Sequence, residues 1–212
     1  MKFAEYIKRK YNVKQRQSLT DIALFIVATL IFHFLYWHTN MNAWLFGPFT
    51  GAIFDFFTNI AFQLSHWAMH ILFSTNFVTH DRTFWFYTLD ALNVKHFFVS
   101  MSVIHDCSGI KQMMQVFIFM LFVPGKAWKR LIYWLCCCVI IILLNVIRIV
   151  ILTGVLVNDA SMFRFIHDWV GRPFMYVFIF LMWVVWIECF ARRKQNTQST
   201  PQKFVPQEED LI

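Results

Sequence analysis

Charge is scarce in this chain. Only 15% of its 212 residues are Asp, Glu, Lys or Arg, and 58% are hydrophobic, against about 25% charged and 45–50% apolar in a soluble domain. That balance excludes an ordinary water-soluble protein and points to one compact membrane bundle. No internal repeat is visible. No CxxC pair occurs among the five cysteines, and four of them (Cys136, Cys137, Cys138 and Cys189) lie in apolar segments, so a disulfide framework is excluded. These four read as small hydrophobes. No HExxH metal signature is present. The first apolar run begins near Leu19 and ends in His33, Tyr36, Trp37 and His38, without a small-residue cleavage site. The expectation is therefore a retained helix rather than a cleaved signal peptide.

What is present is aromatic and basic. Phenylalanine alone occurs 26 times, and the net charge is +7. The basic residues cluster at Lys2, Lys8, Arg9, Lys10, Lys14 and Arg16, at Lys126, Lys129 and Arg130, and at Arg192, Arg193 and Lys194. Each cluster flanks an apolar run, which marks cytoplasmic membrane flanks and makes the bilayer, not nucleic acid, the expected partner. Crossing the hydrocarbon takes about 20 apolar residues. Residues 20–37, 110–123, 131–157 and 174–190 come close. Placing the basic clusters inside sends the first run outward and brings the second in from outside. The third then returns outward and the last inward. The expected organisation is a basic cytoplasmic N-terminus (1–18), a transmembrane domain (19–191) and a disordered cytoplasmic tail (192–212).

The segment 51–74 is harder to place. Asp55, Asn59, Gln63, His66 and His70 make one polar stripe down an apolar helix. Parity forbids one simple extra crossing, so it dips into the membrane and returns, lies along the outer interface, or follows a partial passage made by NAWLFGPFTGAIF (42–54). An amphipathic interfacial helix is favoured. Residues 82–90 and 93–103, rich in aromatic and β-branched side chains and split by Asp-Ala-Leu-Asn, predict a small extracytoplasmic β-hairpin. The fold class expected is an all-α polytopic membrane bundle of about four to six embedded helices carrying that hairpin.

Three residues break the apolar pattern at one level. Cys107, in VIHDCSGIKQ, stands at the outer mouth of the second run. Arg148 lies deep in the third, about 13 Å below its end at 1.5 Å per residue, where an arginine costs about 2.5–3.5 kcal/mol. That depth is too great for snorkelling to free the charge completely. Asn145 shares its face and can brace it. His167 precedes the last run. A thiol is nucleophilic as thiolate, favoured at a helix start and near cations. Ser108 and Gly109 would offer first-turn N–H groups there, and Gly109 would admit a substrate backbone. Arg148 suits an oxyanion, and His167 suits proton transfer to a leaving amine and from an incoming nucleophile. Cysteine, histidine and a fixed cation are the constellation of acyl transfer through a thioester.

CSGI at 107–110, NVIRI at 145–149 and His167 before the last helix, in that order on successive segments, resemble the exosortase/archaeosortase family in its compact core form. The resemblance covers roughly residues 55–190. It implies a membrane cysteine peptidase or transpeptidase without a cofactor or metal. Cys107 would be its nucleophile, Arg148 the substrate-stabilising residue and His167 the general acid/base, with Ser108, Gly109 and Asn145 in support. The implied substrates are exported proteins ending in a short motif, a transmembrane helix and a basic cluster, cut outside the plasma membrane. Asp106 stands where many members carry alanine. A carboxylate there opposes thiolate formation unless it points away to cap the helix. Two other readings remain open on the residues alone. One is a membrane metal or haem protein built on His66 and His70, joined by His33, His38, His80, His96 or His105. The other is a non-enzymatic assembly protein in which Cys107 and His167 are replaceable.

Overall fold

The computed structural model describes residues 2–39, 41–72, 76–122 and 126–191. The expected tail at 192–212 lies outside them. Long apolar runs become helices because their backbone can satisfy its own hydrogen bonds without water. The order is α1 (Lys2–His38), α2 (Met41–Phe46), a 3-10 turn (Gly47–Phe49) and α3 (Thr50–Leu72). Strands β1 (Phe77–His80), β2 (Thr83–Leu89) and β3 (Lys95–Ser102) follow, then a 3-10 turn (His105–Cys107) and α4 (Ile110–Phe122). The chain continues through α5 (Ala127–Asn158), the short α6 (Phe163–Phe165), a π-helical turn (Ile166–Gly171) and α7 (Arg172–Trp186).

Among the described residues, three helical segments are long and apolar enough to cross a membrane: Met41–Leu72, Ala127–Asn158 and Phe163–Cys189. Ile22–His38 and Ile110–Phe122 are shorter apolar helices. On α5 the stripe Ile140, Leu143, Ile147 and Ile151 is exposed, while Ile141, Asn145, Ile149 and Leu152 are buried. An apolar stripe facing outward with polar residues facing inward is the pattern of a helix solvated by lipid.

Helix α5 is shared by two cores. One joins α1, α4, α5 and α7 through Phe25, Phe119, Ile141, Ile179 and Trp183. The other joins α3, α5 and the sheet through Ala61, Phe62, Met69, Phe84, Phe86 and Ile149. Phe84 and Phe86 are completely buried, each stabilising this contact by roughly 2–3 kcal/mol.

The expected hairpin is part of a three-stranded antiparallel sheet ordered β1-β2-β3. The predicted strands at 82–90 and 93–103 are present in slightly shortened form. The added strand β1 has only four residues and pairs His80 with Thr83 across a tight turn. Both turn residues, Asp81 (φ 47°) and Arg82 (φ 61°), are left-handed, the conformation of a two-residue hairpin turn that usually carries Asn-Gly. The second turn matches expectation: Asp90 accepts from the Leu92 and Val94 amides. Those bonds and His96 hold its carboxyl below the usual range.

In α3, Phe54, Thr58, Ala61, Phe62, Ser65 and Met69 form the buried seam. Asn59, Gln63 and His70 are exposed beside it. With α2 this segment measures 32 residues, and an 18-residue stretch of it reaches a mean hydropathy of 1.2. Length and composition thus allow it to cross, although an interfacial position was expected.

Candidate active site

The turn bearing Cys107 is held from several sides. Val103 N–H donates to Arg82 C=O at 2.9 Å, ending β3 against the β1–β2 turn. Cys107 N–H then donates to Ile104 C=O at 2.8 Å, and Ser108 N–H to His105 C=O at 3.0 Å. The Asn145 amide donates to the Cys107 carbonyl. Asn145 therefore anchors the cysteine turn rather than bracing Arg148.

Two further expectations need correction. Helix α4 begins at Ile110, so Cys107 sits in a separate turn ahead of it, and its own N–H is already bonded. Ser108, 3% exposed, has its N–H, expected to be free, bonded to His105 C=O, and its hydroxyl accepts from Ile110 N–H at 3.3 Å. Gly109 is buried with φ +78°, and a Cβ there would come within 3.3 Å of Ile141 Cγ2. Its lack of a side chain serves contact with α5, not entry of a substrate. The left-handed backbone independently favours glycine.

Arg148 rises from α5 to the same level. Its Nη2 lies 3.1 Å from His167 Nε2. His167 occupies the π-helical turn, an irregularity that recurs at functional sites. A Cβ on Gly171 would lie 3.2 Å from Arg148 Nε, so this glycine makes room for the guanidinium. His167 Nδ1 lies 2.9 Å from Asp168 Oδ1. The carboxylate can only accept, which puts the ring proton on Nδ1 and leaves Nε2 accepting from Arg148. Arg172 Nη2 adds a longer contact to the same Asp168 oxygen at 3.5 Å.

These groups open on one cavity of about 790 Å³. Cys107, Ser108, Arg148 and His167 line it; Asn145 and Gly109 support it from behind. Lys111 and Arg172 also line it, with His33, His105 and Tyr176. Lys111 Nζ is 3.3 Å from His33 Nδ1 and 4.8 Å from the ring centres of Tyr36 and Trp37. The cavity is thus rich in cations. Burial pushes the Cys107 thiol above its ordinary range, Arg148 pulls it down, and the nearby Asp106 charge raises it least. Asp106 is exposed, so its opposition is mostly spent in solvent. A thiol in this setting gains from a base at the moment of attack.

Sequence reasoning missed Asp168, Arg172 and Lys111. Adjacency to His167 was the available signal for Asp168. His66 and His70 do not join this cavity. Their rings meet edge to face at 4.6 Å and pack on Phe77. Among the described residues, no three His, Cys, Asp or Glu side chains gather in a metal-binding group.

Several apolar helices around a cavity that holds a thiol, a buried arginine and a carboxylate-bound histidine define a polytopic membrane protein with a thiol-bearing polar site. The family model for transmembrane exosortases (Exosortase EpsH) matches residues 12–185. The chain belongs to this family, a family of sorting peptidases, and is a multi-pass membrane protein. No curated protein and no solved structure matches it.

Proposed function

We propose that this protein cuts the C-terminal sorting signal of exported proteins at the outer membrane interface through a thioester on Cys107. What carries the reading is the meeting of Cys107, Arg148 and His167, from three separate segments, at one cavity. The basic flanks support an extracytoplasmic position for that cavity, with α3 lying in the outer interface. A substrate helix diffusing in the bilayer arrives there at the right depth, and its preceding residues can pair with the open edge of β3, which leads directly into the cysteine turn.

The geometry supports a sequence of contacts. Before substrate arrives, Arg148 occupies the only accepting nitrogen of His167. The scissile carbonyl draws the guanidinium towards its oxygen, where the developing negative charge rewards it. Nε2 is then free to take the thiol proton while Sγ attacks. Asp168 keeps the ring oriented and stabilises the imidazolium. His167 passes the proton to the departing amine, the C–N bond breaks, and the apolar tail leaves with a free amino end. The ectodomain remains as a thioester. The final acceptor completes the reaction as hydrolysis or transpeptidation.

The test is an exported reporter ending in a candidate motif, an apolar helix and a basic cluster. It is expressed with wild-type protein or with Cys107→Ala. Loss of the tail only with the wild type supports the reading. Equal loss in both, or loss that does not require the apolar helix, contradicts it.

A further inference from the structure

A second histidine held by a carboxylate lines the same cavity. His105 Nε2 lies 3.0 Å from Asp55 Oδ1, and His105 stands two residues before Cys107 in the same 3-10 turn. Arg82 Nη1 reaches the same carboxylate oxygen at 2.8 Å. Since the carboxylate accepts, the ring proton belongs on Nε2 and the lone pair on Nδ1. That Nδ1 has no hydrogen-bond partner among the described residues. The ring is half-exposed and lines the cavity. His167 differs, because Arg148 already holds its accepting nitrogen.

Fixing the turn does not by itself require a titratable ring there. Arg82 ties the sheet to α3 through Asp55, and Asn145 holds the cysteine carbonyl from α5. A histidine with its proton pinned on one nitrogen and its lone pair free, lining the cavity that the nucleophile also lines, is arranged as a base. We infer that His105, positioned by Asp55, is the general base of the second half-reaction, in which the acyl group leaves Cys107. The inference rests on the reading of Cys107 as the acyl-carrying nucleophile.

In that step a water molecule or a primary amine, H–X, attacks the thioester carbonyl while His105 Nδ1 takes its proton. The tetrahedral intermediate collapses, the C–S bond breaks, and its electron pair leaves on Sγ. The thiolate recovers the proton from His105, giving R–CO–X and the free thiol. No electrons are gained or lost. Two bases divide the labour: His167 serves the thiol and the leaving amine, and His105 serves the acceptor. Asp55 is a positioning residue that acts through the ring.

The full chain in lipid nanodiscs, mixed with p-nitrophenyl acetate, separates the two halves. Acylation of the thiol gives a burst of p-nitrophenolate, and deacylation sets the steady rate that follows. The wild type should show a burst that Cys107→Ala lacks. His105→Gln should keep the burst rate within about twofold and lower the steady rate about 100-fold. Acetyl should then persist on Cys107 in peptide mass spectra, and hydroxylamine should clear it. Asp55→Asn, which leaves the ring in place, should show the same split at about tenfold. Glycinamide added to the wild type distinguishes the acceptors: a faster steady rate with amide product identifies an amine, and an unchanged rate identifies water. Equal slowing of burst and steady phase in both variants, or no slowing of either, overturns the second base and leaves the pair a clamp. A burst missing from the wild type, or persisting in Cys107→Ala, defeats the thiol reading itself and this inference with it.

Discussion

Two cysteine environments occur on adjoining elements of this molecule. Around Cys136, Cys137 and Cys138 in α5 the surroundings are apolar apart from the Tyr133 hydroxyl beside Cys137: Cys137 is buried in the bundle core with Ile141 and Trp186, Cys138 is half-buried and Cys136 is exposed on the helix surface. Around Cys107 stand Arg148, His167, Lys111 and Arg172 at the edge of an open cavity. The side chain is the same. The difference teaches that its chemistry resides in neighbours contributed by distant segments: a cation to favour the thiolate, a base to collect the proton and space for a substrate.

The sharpest way to break the comparison is to exchange the roles by mutation. Cys107→Ala should abolish tail removal, and Cys137→Ala should leave the rate per folded molecule unchanged, measured by reporter cleavage normalised to protein in the membrane. His167→Asn comes next. It keeps some hydrogen bonding but cannot titrate, and turnover should fall about 100-fold. If His167→Asn is silent and His105→Asn removes the acylation burst, the first base has been misassigned. Arg148→Lys follows, because an ammonium lacks the planar fork of donors. It should lose about tenfold in kcat/KM, or about 1.4 kcal/mol of transition-state stabilisation. Full activity in this variant would reduce Arg148 to packing against Gly171.

The smallest effect concerns the thiol's titration. Burial raises it and Arg148 lowers it, so thiolate accumulates only as pH climbs past the ordinary thiol range. Labelling by a membrane-impermeant maleimide should accelerate with pH in that direction. Arg148→Gln removes the lowering influence, so labelling at fixed pH should slow by about threefold or more. Cys137 should stay unlabelled throughout. Labelling of Cys107 only after the inner face is exposed would invert the proposed orientation.

Much of the candidate site was legible in the sequence because its residues violate their surroundings. A lone arginine in IILLNVIRIV and a cysteine among polar residues are conspicuous against apolar helices. Asn145 was found by its spacing from Arg148, although it bonds to the cysteine turn instead. Strand β1 was not legible: four residues are too few for periodicity, and Asp81-Arg82 carries no glycine to announce its turn. The His105–Asp55 contact joins residues 50 apart, a distance only the folded chain closes. Nothing in the sequence around Gly171 marks it out. Its purpose is visible only from the guanidinium that would meet its side chain. Local pattern reports which residues are out of place, whereas packing determines what they touch.

The central claim is a covalent bond between Cys107 and the cut protein. Membranes containing the full chain and the reporter are quenched in acid during turnover, and Cys107 peptides are read by mass spectrometry. The account predicts a hydroxylamine-labile adduct joining Cys107 to the new C-terminus of the reporter, enriched when His105→Gln slows its release. Steady removal of the tail by a protein whose Cys107 remains unmodified throughout would contradict it.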